Sequence, residues 1–178
     1  LSVLDSYGLH WDGTVIYQSQ RSDIYTEALN QLRQQGDAFP CTCSRKQLLG
    51  QPHQGLCSTP ARTDYAWRFL CPDGTRTVSD DLQPAHHYHL QSDIGDFVIR
   101  RRDGLWSYQL AVVVDDAEQN ITHVVRGIDL IDSTVRQQLL QHALGYSTPA
   151  YSHIPVATEV NGQKLSKQNL ALALSHDH

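Results

Sequence analysis

The sequence has no apolar run near the roughly 20 residues that a membrane-spanning helix needs, and no basic-then-apolar leader at its N-terminus. It also has no excess of positive charge: the formal net charge is −5. That charge argues against a protein that coats nucleic acid by bulk electrostatics. Any RNA binding must use a local basic patch. Neither G-x-x-x-x-G-K-[ST] nor G-x-G-x-x-G occurs. We expect a cytoplasmic protein with no membrane partner.

Methionine is absent too, so the chain does not begin with one. The opening LSVLDSYGLHWDG is typical of the tail of an amphipathic helix that runs into a glycine turn, so we expect the chain to be a fragment. Its 178 residues, 40% of them apolar, include three Trp and eight Tyr. This length and composition predict a globular protein with one core and room for a small insertion.

Two segments have the periodicity of amphipathic helices. Residues 23–35 have a regular apolar face, with Asp23 as the expected N-cap and Gly36 as the end. The segment STVRQQLLQHALG has Ser133 as its expected N-cap and Gly145 as its end.

Strands are expected around the second helix. Residues 97–101 and 122–125 are strand-like, and the apolar stretch AYSHIPVAT follows the helix. The order strand, helix, strand predicts an α/β fold with a parallel sheet, whose ligands bind at the C-terminal ends of the strands. Residues 40–91 differ in composition from the rest of the chain, since they contain all four cysteines and several prolines. We interpret them as an inserted module.

The inserted module contains a set of candidate metal ligands. Cys41, Cys43, His53 and Cys57 follow the pattern C-x-C-x9-H-x3-C, which can close around a tetrahedral Zn²⁺ as a structural site. Cys71 is the rival fourth ligand in place of His53. The alternative is that all four cysteines are ordinary reduced thiols and that His53 is a surface histidine.

The segment KLSKQN presents Lys164 and Lys167 close together after a glycine turn. Two ammonium groups at this spacing suit the binding of a polyphosphate. Taken alone, such a tetrapeptide is more often a solvated basic turn.

KLSKQ resembles the Lys-Met-Ser-Lys-Ser signature of class I aminoacyl-tRNA synthetases. YQSQRSDIYTEAL, RRDGLWSYQLAVVVDD and ITHVVRGIDLIDSTVRQQLL precede it in the order and approximate spacing of the glutamate-activating branch. The resemblance covers essentially the whole chain. Within the branch, VVRGIDLIDSTVRQ and SKQN resemble the glutamyl-Q tRNA(Asp) synthetases, which are shortened paralogues of the glutamyl-tRNA synthetases.

This resemblance implies a Rossmann-like class I catalytic domain with a small zinc-binding insertion. Residues 1–39 correspond to the end of the first Rossmann half, and residues 40–91 to the zinc-binding and connecting module. Residues 92–178 correspond to the second Rossmann half with its signature loop. The family usually has a tyrosine as the fourth zinc ligand, and His53 stands in its place here.

The resemblance also implies an activity and its partners. ATP, with Mg²⁺, activates glutamate, and the glutamyl group passes to queuosine in the anticodon of tRNA(Asp); a monomer is expected. Lys167 matches the ATP-binding, catalytic lysine, with Lys164 as its helper. Tyr108 and Arg126 match glutamate-binding positions, where a guanidinium can bind a carboxylate through two hydrogen bonds.

Structural interpretations of the two glutamate-site residues stay open at this point. Tyr108 could pack in the core beside Trp106, and Arg126 could form a structural ion pair with one of Asp115, Asp116 or Asp129.

Other functions remain open as well. The family's His-Ile-Gly-His-like motif is absent, so we expect the 178 residues alone not to form an adenylate. The chain could also be the catalytic-domain fragment of a glutamyl-tRNA synthetase that charges tRNA(Glu). A third possibility is a non-catalytic, zinc-stabilised domain that binds RNA or protein.

Overall fold

The computed structural model describes residues 2–57, 64–159 and 162–165. Contacts divide the chain into two units: Gln18–Ile154, and a smaller unit made of Leu1–Tyr17 with Pro155–His178. The smaller unit contains helix α1 (Ser2–Ser6) and an antiparallel bridge between Thr158 and Lys164. Among the described residues, no helix has the length and apolar character needed to cross a membrane.

The larger unit alternates short strands and helices. Its helices are α2 (Ser22–Gln35), α3 (Arg45–Leu48), α4 (Tyr108–Glu118) and α5 (Ile131–Leu144). Its strands are β1 (Ala38–Cys41), β2 (Ala66–Phe69), β3 (Thr75–Val78), β4 (His86–His89), β5 (Phe97–Arg100), β6 (His123–Gly127) and β7 (Ala150–Ile154).

The described strands form three small sheets. β6 and β7 are parallel with α5 between them in the chain, which confirms the strand, helix, strand prediction for this pair. The other pairings are antiparallel: β1, β2 and β5 form one sheet in that order, and β3 pairs with β4. β2 belongs to the expected inserted module and β5 does not, so the two parts share a sheet. The three-part division of the chain stays a prediction.

Helices α2, α4 and α5 pack with β5 and its neighbours around one apolar core. The fully buried core residues include Tyr25, Leu32, Ile99, Leu110, Val113, Val135 and Leu140. The expected apolar face of α2 is buried at Ala28, Leu29 and Leu32. Both expected glycine stops are confirmed, because Gly36 and Gly145 end α2 and α5 in the left-handed conformation.

Both expected N-caps are wrong. α2 begins before Asp23 and its N-cap is Arg21, whose side chain makes no cap and binds Asp115 instead. α5 continues directly from a 3-10 turn and begins at residue 131, which places Ser133 inside the first turn. The Ser133 hydroxyl accepts a hydrogen bond from Gln109 instead. Tertiary hydrogen bonds have replaced local capping at both helix starts.

Candidate functional site

The four predicted zinc ligands meet at one point. One ligand atom from each of Cys41, Cys43, His53 and Cys57 lies within 4.8 Å of all the others. Cys41 closes strand β1, and Cys43 follows it two residues later. His53 is anchored by an antiparallel bridge to Asp96, just before β5. The fold therefore brings two separate loops to one cluster.

The distances in the cluster suit a tetrahedral Zn²⁺. Nε2 of His53 lies 3.1 Å from Sγ of Cys57 and 3.5 Å from Sγ of Cys41. Sγ of Cys57 lies 3.5 Å from the sulfur of Cys43 and 3.5 Å from that of Cys41. Zn–S and Zn–N bonds of ordinary length separate tetrahedral ligand atoms by roughly 3.5 to 3.8 Å. The four side chains therefore fit the metal, and no fifth protein donor is required.

Two buried side chains, Asp96 and Arg68, orient these predicted ligands by hydrogen bonds. Oδ2 of Asp96 accepts a hydrogen bond from Nδ1 of His53 at 2.8 Å, which turns Nε2 toward the sulfurs. Nε of Arg68 donates to Sγ of Cys41 at 3.2 Å, and Nη1 donates to the Asp96 carbonyl at 2.8 Å. With Zn²⁺ bound, three thiolates and the divalent cation would carry one net negative charge, which the Arg68 guanidinium would offset. Such supporting hydrogen bonds are typical of protein zinc sites.

Electrostatics within the cluster also favour a cation. Burial opposes ionisation of Cys41, but hydrogen bonds from the Cys43 amide and from Arg68 outweigh it and lower the pKa of this thiol. Burial and the neighbouring Cys41 and Cys43 raise the pKa of Cys57 to about 12. A second thiolate beside the first is disfavoured by like-charge repulsion, which a divalent cation removes.

Cys71 is not part of the cluster. Its thiol is buried and contacts the Leu90 carbonyl at 3.4 Å, while its backbone amide donates to Oδ1 of Asp96. Burial raises its pKa to about 11. The structure therefore favours His53 over Cys71 as the fourth ligand.

The two predicted glutamate-binding residues also meet. Tyr108 is the first residue of α4, where the Ser107 side chain caps the helix by accepting from the Leu110 amide. Arg126 lies near the C-terminal end of β6. Nη1 of Arg126 donates to the Tyr108 hydroxyl at 3.3 Å. A guanidinium and a phenol therefore share the strand end at which α/β sheets bind ligands.

The Arg126 guanidinium is held on several sides. Nη2 donates to Oγ1 of Thr134 at 2.8 Å, and Nε donates to Nε2 of His153 at 3.1 Å. Its central carbon lies 5.2 Å from the centre of the Tyr151 ring. Within the described residues, none of its three hydrogen-bond partners is a carboxylate.

The structure argues against a packing role for Tyr108 and against an ion pair between Arg126 and Asp115. Trp106 performs the packing role, since its ring meets Tyr25 edge-on at 5.7 Å, whereas Tyr108 is 47% exposed. Asp115, one candidate for a structural ion pair with Arg126, is buried and binds Arg21 and Tyr25. Burial and the neighbouring Asp115 raise the pKa of Asp116, while the charge of Arg126 opposes this shift. Asp116 therefore interacts electrostatically with Arg126 without a hydrogen bond to it.

Several supporting residues had no signal in the sequence. Arg68 and Asp96 hydrogen-bond predicted zinc ligands, and Thr134 and His153 hydrogen-bond Arg126. Arg68, Asp96 and His153 act on partners 27 to 43 residues away in sequence, which strand pairing brings close. Thr134 is only eight residues from Arg126 and lies in the first turn of α5.

The predicted phosphate-binding lysines belong to the smaller unit. Lys164 is exposed and takes part in the bridge to Thr158. Lys167 lies outside the described residues. Their roles stay predictions.

Comparison with known proteins agrees with the resemblance in sequence. The family described as "tRNA synthetases class I (E and Q), catalytic domain" matches residues 1–70 and 58–178. A glutamyl-Q tRNA(Asp) synthetase of Pseudomonas fluorescens is 50% identical over 183 residues, covering 99% of this chain and 61% of its own length. One from Chromobacterium violaceum is 47% identical over 186 residues, covering 98% and 62%. The chain thus spans about three fifths of these relatives.

Solved structures show the same fold. A glutamate tRNA ligase from Elizabethkingia meningosepticum, solved with its amino acid, superposes with a TM-score of 0.78 at 24% identity, covering 93% of this chain and 40% of its own. The glutamate-tRNA synthetase of Elizabethkingia anophelis gives 0.79 at 24% identity, covering 94% and 41%. The expected α/β class I catalytic-domain fold is confirmed. The chain belongs to the class I tRNA synthetase (E and Q) catalytic-domain family.

Proposed function

We propose that the protein containing this chain activates glutamate with ATP and transfers the glutamyl group to queuosine in the anticodon of tRNA(Asp). The observation that carries the proposal is the Arg126 guanidinium, which is held beside the Tyr108 hydroxyl at the C-terminal end of β6. Relatives named glutamyl-Q tRNA(Asp) synthetase, 47 to 50% identical to this chain, support the choice of acceptor.

Arg126 is suited to the side-chain carboxylate of glutamate. The α-carboxylate is the nucleophile and must reach the α-phosphorus of ATP, so a guanidinium bound to it would block the reaction. Within the described part of the chain, three protein hydrogen bonds leave two of the five Arg126 N–H groups for a ligand. Two such donors can bind one carboxylate, and they favour glutamate over uncharged glutamine.

In the first step an α-carboxylate oxygen of glutamate attacks the α-phosphorus of ATP. The bond to the bridging oxygen of the β-phosphate breaks, and pyrophosphate leaves with that oxygen and its electron pair. Lys164 and Lys167 supply positive charge to the phosphates, and Mg²⁺ is required with ATP. Positioning and charge stabilisation account for most of the catalysis in a step of this kind.

In the second step a hydroxyl of queuosine attacks the carbonyl carbon of the glutamyl-adenylate. An ester bond forms, the bond to the phosphate oxygen breaks, and AMP leaves while the hydroxyl loses its proton. Arg126 and Tyr108 hold the amino-acid end in both steps. Because the same residues bind glutamate in both steps, the activated carbonyl stays in place while its reaction partner changes from ATP to the tRNA.

Zinc has a structural role in this proposal. Cys41, Cys43, His53 and Cys57 hold it in a closed four-ligand site, where it fixes the loops of the inserted module. The module, residues 40–91, lies between residues 1–39 and 92–178, which form the Rossmann-like catalytic domain.

The test uses the full-length protein with radioactive glutamate, ATP and purified tRNAs. We expect glutamate-dependent exchange of pyrophosphate into ATP, and label on tRNA(Asp) that contains queuosine. A tRNA(Asp) with guanosine at that position should remain unlabelled, while removal of the 3′-terminal adenosine should not prevent labelling. Label on tRNA(Glu) that requires its 3′ adenosine would instead indicate a glutamyl-tRNA synthetase. RNA binding without exchange would indicate a non-catalytic domain.

A further inference from the structure

We propose that Asp80 and His153 form a positioning pair that fixes Arg126 in the orientation needed to bind the substrate carboxylate. The inference rests on the proposed function for the identity of the substrate. The placement of Arg126 is a separate question, and it is measurable without any reaction.

Both carboxylate oxygens of Asp80 accept hydrogen bonds, which fix the position of the side chain. Oδ1 accepts the backbone amides of Leu82 and Gln83 at 3.0 Å and that of His153 at 3.1 Å. Oδ2 lies 2.5 Å from Nδ1 of His153. Neither side chain of the pair has exposed surface. Burial raises the pKa of Asp80, but these hydrogen bonds outweigh it and lower the pKa to about 2.

The contacts define which ring nitrogen of His153 carries the proton. An arginine Nε–H can only donate, so Nε2 of His153, 3.1 Å from Nε of Arg126, must be an acceptor. The Thr134 hydroxyl lies 3.3 Å from the same nitrogen. Nδ1 therefore carries the hydrogen and donates it to Asp80. A carboxylate, which only accepts, imposes this tautomer on the ring.

The pair determines the orientation of the Arg126 guanidinium plane. Nε is bound by His153, Nη2 by Thr134 and Nη1 by the Tyr108 hydroxyl, while the Tyr151 ring lies against the guanidinium face. Tyr151 is itself fixed by Gln141, which donates to its hydroxyl at 3.0 Å. The guanidinium thus loses its rotational freedom before substrate arrives, which removes part of the entropic cost of binding.

The loop that carries Asp80 is also bound to β7. The Asp81 amide donates to the Tyr151 carbonyl at 2.9 Å, and Ser152 donates to the Asp81 carboxylate at 2.9 Å. Gln83 donates to the His153 carbonyl at 2.6 Å. Asp81 is exposed and has no contact with Arg126 among these bonds. It provides a matched control in the same loop.

The substitution Asp80→Asn separates positioning from packing because it conserves the shape of the side chain. Its oxygen is needed by the three backbone amides, so its NH₂ group faces Nδ1 of His153. The ring must then carry its proton on Nε2, where it opposes the N–H of Arg126. Two donors then face each other, and the hydrogen bond between Arg126 and His153 is lost. Loss of a hydrogen bond to a charged group changes an equilibrium constant about tenfold, so we expect the affinity for glutamate to fall by about that factor.

The kinetic test measures glutamate-dependent pyrophosphate exchange with the full-length protein. Asp80→Asn should raise KM for glutamate about tenfold while kcat and KM for ATP change little. The reason is that Arg126 binds the glutamate side chain equally well in the ground state and in the transition state. Asp81→Asn should leave all three unchanged. In the Arg126→Lys background, Asp80→Asn should have no further effect. An equal effect in both backgrounds, or an unchanged KM in the single variant, would overturn the proposal.

A second measurement does not depend on activity. Nitrogen-15 NMR of the histidine rings, with the His153 signals identified by their loss in His153→Gln, reports which nitrogen carries the proton. We expect the Nδ1–H form in the wild type and in Asp81→Asn, and the Nε2–H form in Asp80→Asn. An Nε2–H ring in the wild type would overturn the positioning role. Loss of exchange in the wild type, with the expected tautomers present, would refute the proposed function and leave the positioning of Arg126 supported.

Discussion

Asp96 accepts a hydrogen bond from Nδ1 of His53 at 2.8 Å, and this bond aims Nε2 at three cysteine sulfurs. The side chain of Asp96 has no exposed surface, and its second oxygen accepts the Cys71 amide at 2.8 Å. The carboxylate thus connects Cys71, two residues after β2, to the cluster of predicted zinc ligands.

Asp96→Asn should weaken zinc binding. The asparagine oxygen is needed by the Cys71 amide, so its NH₂ group faces Nδ1 of His53 and drives the ring proton onto Nε2, the nitrogen that must bind the metal. Loss of a carboxylate behind a zinc-bound histidine typically costs about 10- to 100-fold in affinity. Competition with a chromogenic zinc chelator measures the change. Asp93→Asn, in the exposed turn before it, should bind zinc as the wild type does.

Gly95→Ala should destabilise the chain by displacing His53. A Cβ at this position would lie 2.6 Å from the His53 carbonyl oxygen and 2.6 Å from Cβ of Pro52, and φ is +61°. We expect a loss of about 2 to 4 kcal/mol in the free energy of unfolding, together with loss of zinc. Gly104→Ala is the control, because φ is +82° there but nothing lies within 4 Å. It should cost only about 1 kcal/mol and keep the metal. Equal losses in both variants would contradict the close approach at Gly95.

Cys57→Ser and Cys71→Ser should differ in zinc content. Elemental analysis of the freshly purified wild type should find about one zinc per chain, as expected for a closed four-ligand site. Cys57→Ser removes a ligand and should abolish stoichiometric zinc, whereas Cys71→Ser lies outside the cluster and should retain it. A wild type without stoichiometric metal, or a metal-free Cys71→Ser variant, would contradict the assignment of ligands.

Asp80 should add a pH dependence to stability in acid. The pKa of Asp80 is about 2 in the folded chain, whereas the ordinary value of 3.8 applies in the unfolded chain. The unfolded chain therefore takes up the proton first as the pH falls. The stabilisation is therefore complete above about pH 4 and is lost between about pH 4 and pH 2, on the order of 2 kcal/mol. Urea unfolding of Asp80→Asn and Asp81→Asn across this range isolates the effect. The difference between the variants should shrink as the pH falls; a constant difference would contradict the hydrogen bonds that lower the pKa of Asp80.

The sequence was sufficient to predict features that depend on local spacing. The pattern of Cys41, Cys43, His53 and Cys57 identified the set of ligand atoms that the fold brings together, and helix periodicity identified the buried face of α2. Residues whose partners are distant in sequence were not predictable. Asp80 and His153 are 73 residues apart, and only the docking of a loop on β7 joins them.

Helix starts were mispredicted for the same physical reason. A serine or aspartate near the start of an apolar pattern favours an N-cap, but its side chain can satisfy another partner. Ser133 accepts from Gln109, and the turn before it already belongs to the helical segment. The glycine ends of α2 and α5 were correct because a left-handed residue is a backbone requirement that tertiary contacts rarely replace.

The most direct test of the proposed function is mass spectrometry of the nucleosides from tRNA(Asp) after reaction with the full-length protein, glutamate and ATP. We predict that queuosine gains the mass of one glutamyl residue, that the gain is lost on mild alkaline hydrolysis of the ester, and that Arg126→Lys strongly reduces it. Unmodified queuosine alongside glutamate esterified to the terminal adenosine would contradict the proposal.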